Sequence, residues 1–196
     1  FDAGSGLFPA GQALKAEGIG DVSMFFSHCH YDHIVGFPYF KPFFNRENDV
    51  RIWSGHLAGQ KTTREMLAEF MSPPWFPAPL DICCAQIITR DFKAGDVLSV
   101  HPELEITTGM LNHPGNAIGY RIDWQGRSLA IITDTEHEDG KLDKSVLKLI
   151  DNVDLFLYDA SFTEAEMSTY RGYGHSSWQQ ACLLAKHANA KRVGFI

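Results

Sequence analysis

The sequence predicts an α+β protein in which helices cover β-sheets. Two observations carry this prediction. Short apolar segments separated by Gly, Pro, Asn or Asp follow one another from residue 86 to residue 133 and indicate a series of strands. Beyond residue 141 the pattern changes to helices alternating with strands. Because a sheet with an apolar face needs cover, this order favours sheets sandwiched by helices.

The individual elements follow from the spacing of apolar residues and from the turn residues between them. Residues 22–27 form the first predicted strand, and residues 57–71 carry helical spacing. Pro38 and Pro42 break the aromatic segment 36–44, which therefore cannot form one long helix. Further strands are predicted at 50–53, 86–92, 97–100, 104–111, 117–122, 128–133, 154–158 and 192–196. Further helices are predicted at 142–150 and 176–188.

Length and composition favour a single domain. The chain has 196 residues, of which 44% are apolar, so residues 1–196 are predicted to form one domain with a sizeable core. The chain begins at Phe1 rather than at a methionine, and it ends in the apolar run 193–196. We therefore expect it to be truncated at both ends.

Hydropathy, charge and cysteine spacing argue against a membrane protein, a nucleic-acid-binding protein and a disulfide-stabilised protein. No stretch of about 18 apolar residues is present, so no membrane span is expected. The formal net charge is −7 and no run of Lys or Arg occurs, so we do not expect a nucleic acid as partner. The four cysteines show neither a disulfide framework nor Cys-x-x-Cys spacing. This predicts free thiols and a cytoplasmic location.

Four potential metal ligands lie close together directly after the first predicted strand. They are His28, His30, Asp32 and His33, whose imidazole nitrogens and carboxylate oxygens suit zinc and similar divalent ions. Alternate side chains of an extended segment share a face, so His28 and His30 can bind one metal together. Where the chain then turns, Asp32 and His33 can face a second metal. A loop that leaves a buried strand is a common place for such a site.

The pattern His-x-His-x-Asp-His at residues 28–33 resembles the signature of the metallo-β-lactamase superfamily. That resemblance implies a four-layered αββα fold and a site for two divalent metal ions. It also implies that His113 completes the ligands of the first metal and that Asp134 bridges both metals. A carboxylate can form such a bridge because it has two oxygens. Asp2, in an Asp-x-Gly element, is expected to lie beneath the metal loop.

A second pattern resembles one branch of this superfamily. The segments Tyr158-Asp159-Ala160 and Gly174-His175-Ser176-Ser177 are similar to those of its phosphodiesterases, which include ribonuclease Z and small-molecule enzymes. In that branch an acidic residue orients a histidine that protonates the leaving oxygen. The resemblance assigns these roles to Asp159 and His175. One family ligand has no counterpart, since the last histidine of the second metal would follow the strand that ends at Ile196.

The resemblance implies a metal-dependent hydrolase that cleaves a small cyclic or linear phosphodiester with a metal-activated hydroxide. Asp32, Asp159 and His175 are the predicted catalytic residues. The predicted metal ligands are His28, His30, Asp32, His33, His113 and Asp134. These donors include no thiolate, so two zinc ions are expected, with manganese or iron as alternatives. Two other functions remain open: an acyl hydrolase acting on a thioester or lactone at the same site, and a metal-binding or ligand-binding sensor domain without turnover.

Several features fit more than one role. Trp75 and Phe76, in the proline-rich apolar loop 73–79, suit either the lining of a substrate pocket or a subunit contact, so a homodimer stays open. His137 lies close enough in sequence to the bridging carboxylate to reach the same cleft. His56 is expected to be peripheral.

Overall fold

The computed structural model describes all residues, Phe1–Ile196, and divides the chain into two units. The first unit comprises Phe1–Phe92 and the second Lys93–Ile196. Each unit has its own β-sheet, its own helices and its own cluster of buried apolar side chains. The single domain expected from the chain length stays a prediction.

The first unit is built on a parallel sheet of three strands in the order β1-β2-β3. The strands are β1 (Val22–Phe26), β2 (Asp49–Ser54) and β3 (Gln86–Asp91). The helices are α1 (Leu7–Ala16), α2 (Tyr31–Ile34) and α3 (Thr63–Phe70), with short 3₁₀ helices at Phe37–Tyr39, Lys41–Phe44 and Leu80–Ile82. Phe26 of β1 pairs with Ser54 of β2, so both strands end at the same edge of the sheet.

Proline shapes the segment after α2 as the sequence predicts. Pro38 and Pro42 each stand near the start of a 3₁₀ helix, where a missing N–H costs little, and no long helix forms. The two short helices and the residue between them bury Phe37, Phe40 and Phe43 in the core. The ring centroids of Phe37 and Phe43 lie 4.6 Å apart. Closely packed aromatic rings therefore stabilise the chain directly after the ligand motif.

Helix α1 has no counterpart among the predicted elements. Pro9 and Gly11 lower the intrinsic helix preference of this segment. The helix packs against the 3₁₀ helix Lys41–Phe44, and this contact decides its conformation. Local sequence preference therefore could not predict it.

Helix α3 begins at Thr63, later than the helical spacing from residue 57 predicts. A capping box marks the true start. Thr62 Oγ1 accepts a hydrogen bond from the N–H of Glu65 (3.2 Å), and the Glu65 carboxylate accepts one from the N–H of Thr62 (2.8 Å). The residues before Thr62 therefore form a turn, not a helix.

The second unit is built on a mixed sheet of six strands in the order β4-β5-β6-β7-β8-β9. Strands β4 to β7 pair antiparallel, whereas β7, β8 and β9 pair parallel. The elements are β4 (Val97–His101), β5 (Leu104–Leu111), β6 (Ala117–Trp124), β7 (Arg127–Ile132), α4 (Lys144–Ile150), β8 (Leu155–Tyr158), α5 (Trp178–His187) and β9 (Val193–Phe195). The predicted strands of this unit are confirmed.

The helices of the second unit begin at capping residues. The Asp143 carboxylate accepts hydrogen bonds from the N–H groups of Ser145 and Val146, and Ser177 Oγ accepts one from the N–H of Gln180. Both caps lie where the sequence predicts the helices to begin. Because Ser177 fixes the start of α5, it also fixes the position of the turn that precedes the helix.

The pairing of β7 with β8 positions the loops that follow them. Ile132 pairs with Tyr158 at the ends of these parallel strands. Parallel strands end at the same edge of a sheet, and such an edge is where α/β sheets bind ligands. Asp134 and Asp159 therefore leave the sheet side by side.

No helix combines the length and the hydropathy that crossing a membrane requires. All four cysteines are free thiols.

Candidate metal centre

The predicted ligand motif lies at the carboxyl end of β1. The strand ends at Phe26, and the loop 27–30 leads into α2. His28 is buried, His33 is partly buried and His30 is exposed. The ring centroid of His28 lies 4.5 Å from that of His30 and 4.2 Å from that of His33. The first unit thus gathers three imidazoles in one short segment.

The Asp2 carboxylate lies beneath this loop, as the resemblance predicts. Its Oδ1 accepts a hydrogen bond from the N–H of Ser27 (2.6 Å), and its Oδ2 accepts one from Ser27 Oγ (2.8 Å). The same Oδ2 lies 3.0 Å from Nδ1 of His33. Because a carboxylate only accepts, Nδ1 of His33 carries the proton and Nε2 carries the lone pair that a metal would take.

Asp32 and His33 present their donor atoms to the same place. Asp32 Oδ2 lies 3.3 Å from His33 Nε2, and the Asp32 side chain is largely exposed. Zinc–ligand bond lengths place two ligands of one tetrahedral ion ~3.4 Å apart. This pair of side chains therefore fits a shared divalent ion.

Backbone hydrogen bonds tie the N-terminal segment to the motif. Ala3 donates to the carbonyl oxygen of His33 (2.7 Å) and accepts from the N–H of Gly36 (2.7 Å). A Cβ at Gly36 would overlap the carbonyl oxygen of Gly4. Glycine at this position permits the close approach that keeps Asp2 beneath the loop.

His56, which the sequence predicts to be peripheral to the site, is buried in the same unit. Its Nδ1 lies 3.0 Å from Ser54 Oγ. Burial lowers the pKa of His56 to about 4; the Asp2 carboxylate opposes this shift and His30 adds to it. Ser54 ends β2 opposite Phe26. The apolar strand before His56 is the sequence signal that could have placed it at this edge.

In the second unit the predicted functional residues stand at the ends of strands. His113 follows β5, Asp134 follows β7 and Asp159 follows β8, whereas His175 precedes α5. Asp134, Asp159 and His175 each offer a donor atom, and these atoms lie within 4.8 Å of one another. His113 Nε2 lies 3.9 Å from Asp134 Oδ2. This unit therefore brings its four predicted site residues together.

A backbone carbonyl orients the buried imidazole of His113. Nδ1 of His113 lies 2.8 Å from the carbonyl oxygen of Gly174. A carbonyl only accepts, so Nδ1 donates and Nε2 is the potential ligand atom, as is usual for metal-binding histidines. Gly174 has a φ of +84°, and a Cβ there would overlap the His113 ring. Glycine is therefore required at this contact.

Hydrogen bonds to both oxygens hold the Asp159 carboxylate in one orientation. Oδ1 accepts from the N–H (3.1 Å) and the Oγ (2.8 Å) of Ser161. Oδ2 accepts from the N–H of Thr135 (3.1 Å) and lies 2.8 Å from Nδ1 of His175. Asp159 is only 2% exposed. A buried, fully bonded carboxylate of this kind is a rigid support for an imidazole.

The His175 ring is held on one side and accessible on the other. Because Asp159 accepts from Nδ1, the Nε2 atom lies on the opposite side of the ring. The side chain is 29% exposed, and its ring meets the edge of Phe162 with centroids 6.1 Å apart. This arrangement suits proton transfer through Nε2.

Glu136, for which the sequence predicts no role, holds the turn before His175. Its Oε2 accepts hydrogen bonds from the N–H groups of Gly172 (2.7 Å) and Gly174 (3.0 Å). Arg171 Nη1 lies 3.9 Å from its other oxygen. No local pattern signals these contacts, since they join residues far apart in the chain.

His137 lies in a buried network at the entry to α5. Its Nδ1 lies 3.2 Å from Ser176 Oγ, which itself donates to the carbonyl oxygen of Thr135 (2.6 Å). Burial lowers the pKa of His137. A neutral imidazole here supports the backbone directly after His175.

Comparison with known proteins identifies the class to which this fold and these side chains belong. Residues 1–196 match a family model described as "Beta-lactamase superfamily domain". Because the match spans the whole chain, the chain belongs to this superfamily, whose hydrolases generally bind divalent metal ions. The fold class predicted from the sequence, the α+β metallo-β-lactamase fold, is confirmed.

The similar proteins include a ribonuclease, a tRNase and a diphosphatase. Ribonuclease BN of Cronobacter sakazakii (strain ATCC BAA-894) is 25% identical, over 98% of this chain and 76% of that protein. The crystal structure of human tRNase Z, short form, has a TM-score of 0.73 and 21% identity, over 100% of this chain and 79% of that chain. A diphosphatase of the PhnP family has a TM-score of 0.64 and 18% identity, over 99% and 66%. The roles of single residues stay predictions.

Proposed function

We propose that this chain is a phosphodiesterase that depends on two divalent metal ions and acts on a small phosphodiester. The observation that carries the proposal is the hydrogen bond between Asp159 and Nδ1 of His175 (2.8 Å). Hydrolysis of an alkyl phosphodiester needs a proton for the leaving oxygen, and a histidine held by a buried carboxylate can deliver it. Hydrolysis of a thioester makes less use of such a pair, because a thiolate leaves without a proton.

The donor atoms of both units suit divalent metals. On the family pattern, His28, His30 and His113 would hold one ion, Asp32 and His33 would hold the other, and Asp134 would be a ligand of both. Two of these histidines have Nδ1 held by an acceptor, Asp2 for His33 and Gly174 for His113. Such contacts fix the tautomer that metal binding needs. Nitrogen and oxygen donors without a thiolate favour zinc, with manganese or iron as alternatives.

Metal ions bound to such ligands lower the pKa of water and neutralise charge that develops on phosphoryl oxygens. The side chains of this protein supply the proton for the leaving group and the contacts that orient its donor. Asp159 fixes the ring of His175 through Nδ1, so Nε2 is the atom that gives a proton to the leaving alkoxide. Glu136 fixes the turn that carries His175.

Net charge favours a small substrate over a polynucleotide. The chain has 24 acidic and 17 basic residues, hence the net charge of −7, which repels a long phosphate backbone. Cleavage of RNA is the second candidate function, because ribonuclease BN of Cronobacter sakazakii is 25% identical to this chain. The two candidates share the chemistry and differ in the size of the substrate.

Replacement of His175 tests the proposed proton transfer. In His175→Ala, turnover of a nucleoside 2′,3′-cyclic phosphate is expected to fall about 10²- to 10⁴-fold, because its leaving alkoxide needs a proton. Turnover of bis(p-nitrophenyl) phosphate is expected to fall far less, because p-nitrophenolate departs without one. Elemental analysis is expected to show unchanged metal content. Rates are measured with and without added Zn²⁺ or Mn²⁺.

The matched control is His187→Ala, which removes an exposed imidazole from α5 and is expected to change neither rate. Equal loss on both substrates together with loss of metal would mean that His175 is a ligand or a folding element. An RNA with a 3′ extension is assayed in parallel. Faster turnover of that RNA than of either small ester would favour the second candidate.

A further inference from the structure

The proline-rich loop forms one wall of an apolar cavity in the first unit. The cavity has a volume of about 540 Å³. Trp75 and Phe76 of the loop line it together with Met66 and Phe70 of α3. This volume lies in the range of cavities that bind small organic molecules, about 300–1,000 Å³. It has room for a group of one or two rings.

The ligand motif contributes another part of the lining. Cys29, which lies between His28 and His30 in the sequence, faces the cavity, and so does Tyr31. A molecule in this cavity therefore contacts the same segment of chain that carries predicted metal ligands.

Aromatic side chains at this cavity are exposed to an unusual degree. Trp75 is 78% exposed and Tyr31 is 72% exposed. Exposed aromatic side chains gathered at one cavity indicate a binding surface, whereas isolated ones are ordinary. Tyr39 and Phe76 meet edge to face, with centroids 6.3 Å apart. Rings arranged in this way suit contact with another flat ring.

The charged groups of the cavity neutralise each other. They are Lys61 and Glu69, which form an ion pair. The lining therefore offers no unpaired cation to bind a phosphate. The part of a ligand that enters the cavity is uncharged, and its phosphoryl group must lie outside.

We propose that this cavity binds an uncharged aromatic ester group of the substrate while the phosphoryl group lies at the predicted metal ligands. The inference rests on the proposed function and names its substrate class: a phosphodiester with at least one aromatic substituent. The cavity takes a single such group, and its lining offers no unpaired cation for the successive phosphates of a polynucleotide. Trp75 and Tyr31 supply the surfaces on which the substituent packs.

Two phosphinates, which resemble a phosphodiester and cannot be hydrolysed, test this assignment by calorimetric titration of the metal-loaded protein. Diphenylphosphinate is expected to bind about 10- to 100-fold more tightly than dimethylphosphinate, because its rings bury more apolar area. In Trp75→Ala this ratio is expected to fall about 3- to 10-fold. The exposed position of Trp75 lets the variant fold, which thermal unfolding verifies.

The matched control is Trp124→Ala, which removes an exposed tryptophan from β6 in the second unit and should leave the ratio unchanged. Equal affinities for the two phosphinates, no binding of either, or a ratio that Trp75→Ala does not change would overturn the cavity assignment. Hydrolysis assays then separate the two proposals. Selective binding of diphenylphosphinate without hydrolysis of any diester would keep the cavity and reject the phosphodiesterase.

Discussion

The two units assemble their functional side chains by different means. In the first unit His28, His30, Asp32 and His33 come from a single loop and the helix that follows it. In the second unit the predicted residues come from separate strand ends and from the turn before α5. Because these four residues lie close together in the sequence, their spacing is enough to predict the ligand set. Separate strand ends come together only through the pairing of the sheet.

The units also differ in the groups that orient their histidines. In the first unit the Asp2 carboxylate accepts from Nδ1 of His33. In the second unit a neutral carbonyl, that of Gly174, accepts from Nδ1 of His113, while Asp159 accepts from His175. The same device, an Nδ1–H fixed by an acceptor, therefore recurs at two predicted metal ligands and at the predicted proton donor.

Removal of Asp134 is expected to have the largest effect, because this carboxylate of the second unit is the predicted ligand of both metals. If this carboxylate is shared by both metals, Asp134→Ala lowers the amount of metal bound per chain. Phosphodiester turnover is then expected to fall more than about 100-fold, which exceeds the effect of removing a residue that only hydrogen-bonds to a metal ligand. Elemental analysis and the cyclic phosphate assay measure the two quantities. Asp139→Ala, which removes an exposed carboxylate of the same unit, is the control. Unchanged metal stoichiometry in Asp134→Ala contradicts the shared role.

Replacement of Gly174 tests the carbonyl that orients His113. Gly174→Ala introduces a Cβ into the His113 ring and strains a backbone with φ +84°, so metal affinity is expected to fall about 10- to 100-fold. Competition with a metal-sensitive dye measures the affinity. Gly172→Ala is a close control, because its φ is +90° but no atom lies within 4 Å of the added Cβ. Equal loss in both variants would reduce the effect to backbone strain.

The smallest expected effect concerns the buried imidazole of the first unit. The folded state lowers the pKa of His56 from 6.5 to about 4, so the fold favours the neutral ring. Its stabilising contribution is complete above pH 6.5 and is lost as the pH falls toward 4, because the unfolded chain takes up the proton first. Between pH 8 and pH 5 the free energy of unfolding of the metal-free protein should lose about 2 kcal/mol through His56.

Denaturant unfolding at several pH values measures this loss. In His56→Gln the dependence on pH should be weaker by that amount, whatever the stability of the variant at pH 8. His187→Gln, which removes an exposed imidazole, should retain the full dependence. Identical pH profiles for the wild type and His56→Gln would show that His56 titrates alike in the folded and unfolded chains.

Much of the fold could be predicted because it follows from local patterns. Alternating apolar residues and turn residues located the strands of the second unit, and helical spacing at 142–150 and 176–188 located its helices. Helix α1 could not be predicted, since Pro9 and Gly11 disfavour a helix and packing against Lys41–Phe44 decides the conformation. Prediction failed where tertiary contacts outweigh local preference.

By itself the sequence determined the chemistry of the candidate site: the ligand types at residues 28–33, and carboxylates and histidines after apolar strands. These are local properties, because a motif and the strand before it are contiguous. Only the tertiary structure decided which atoms hold Nδ1 of His113, that His56 is buried, and that Trp75 lines a cavity with Cys29. Those facts depend on residues distant in the chain, whose distances are set by strand pairing and packing.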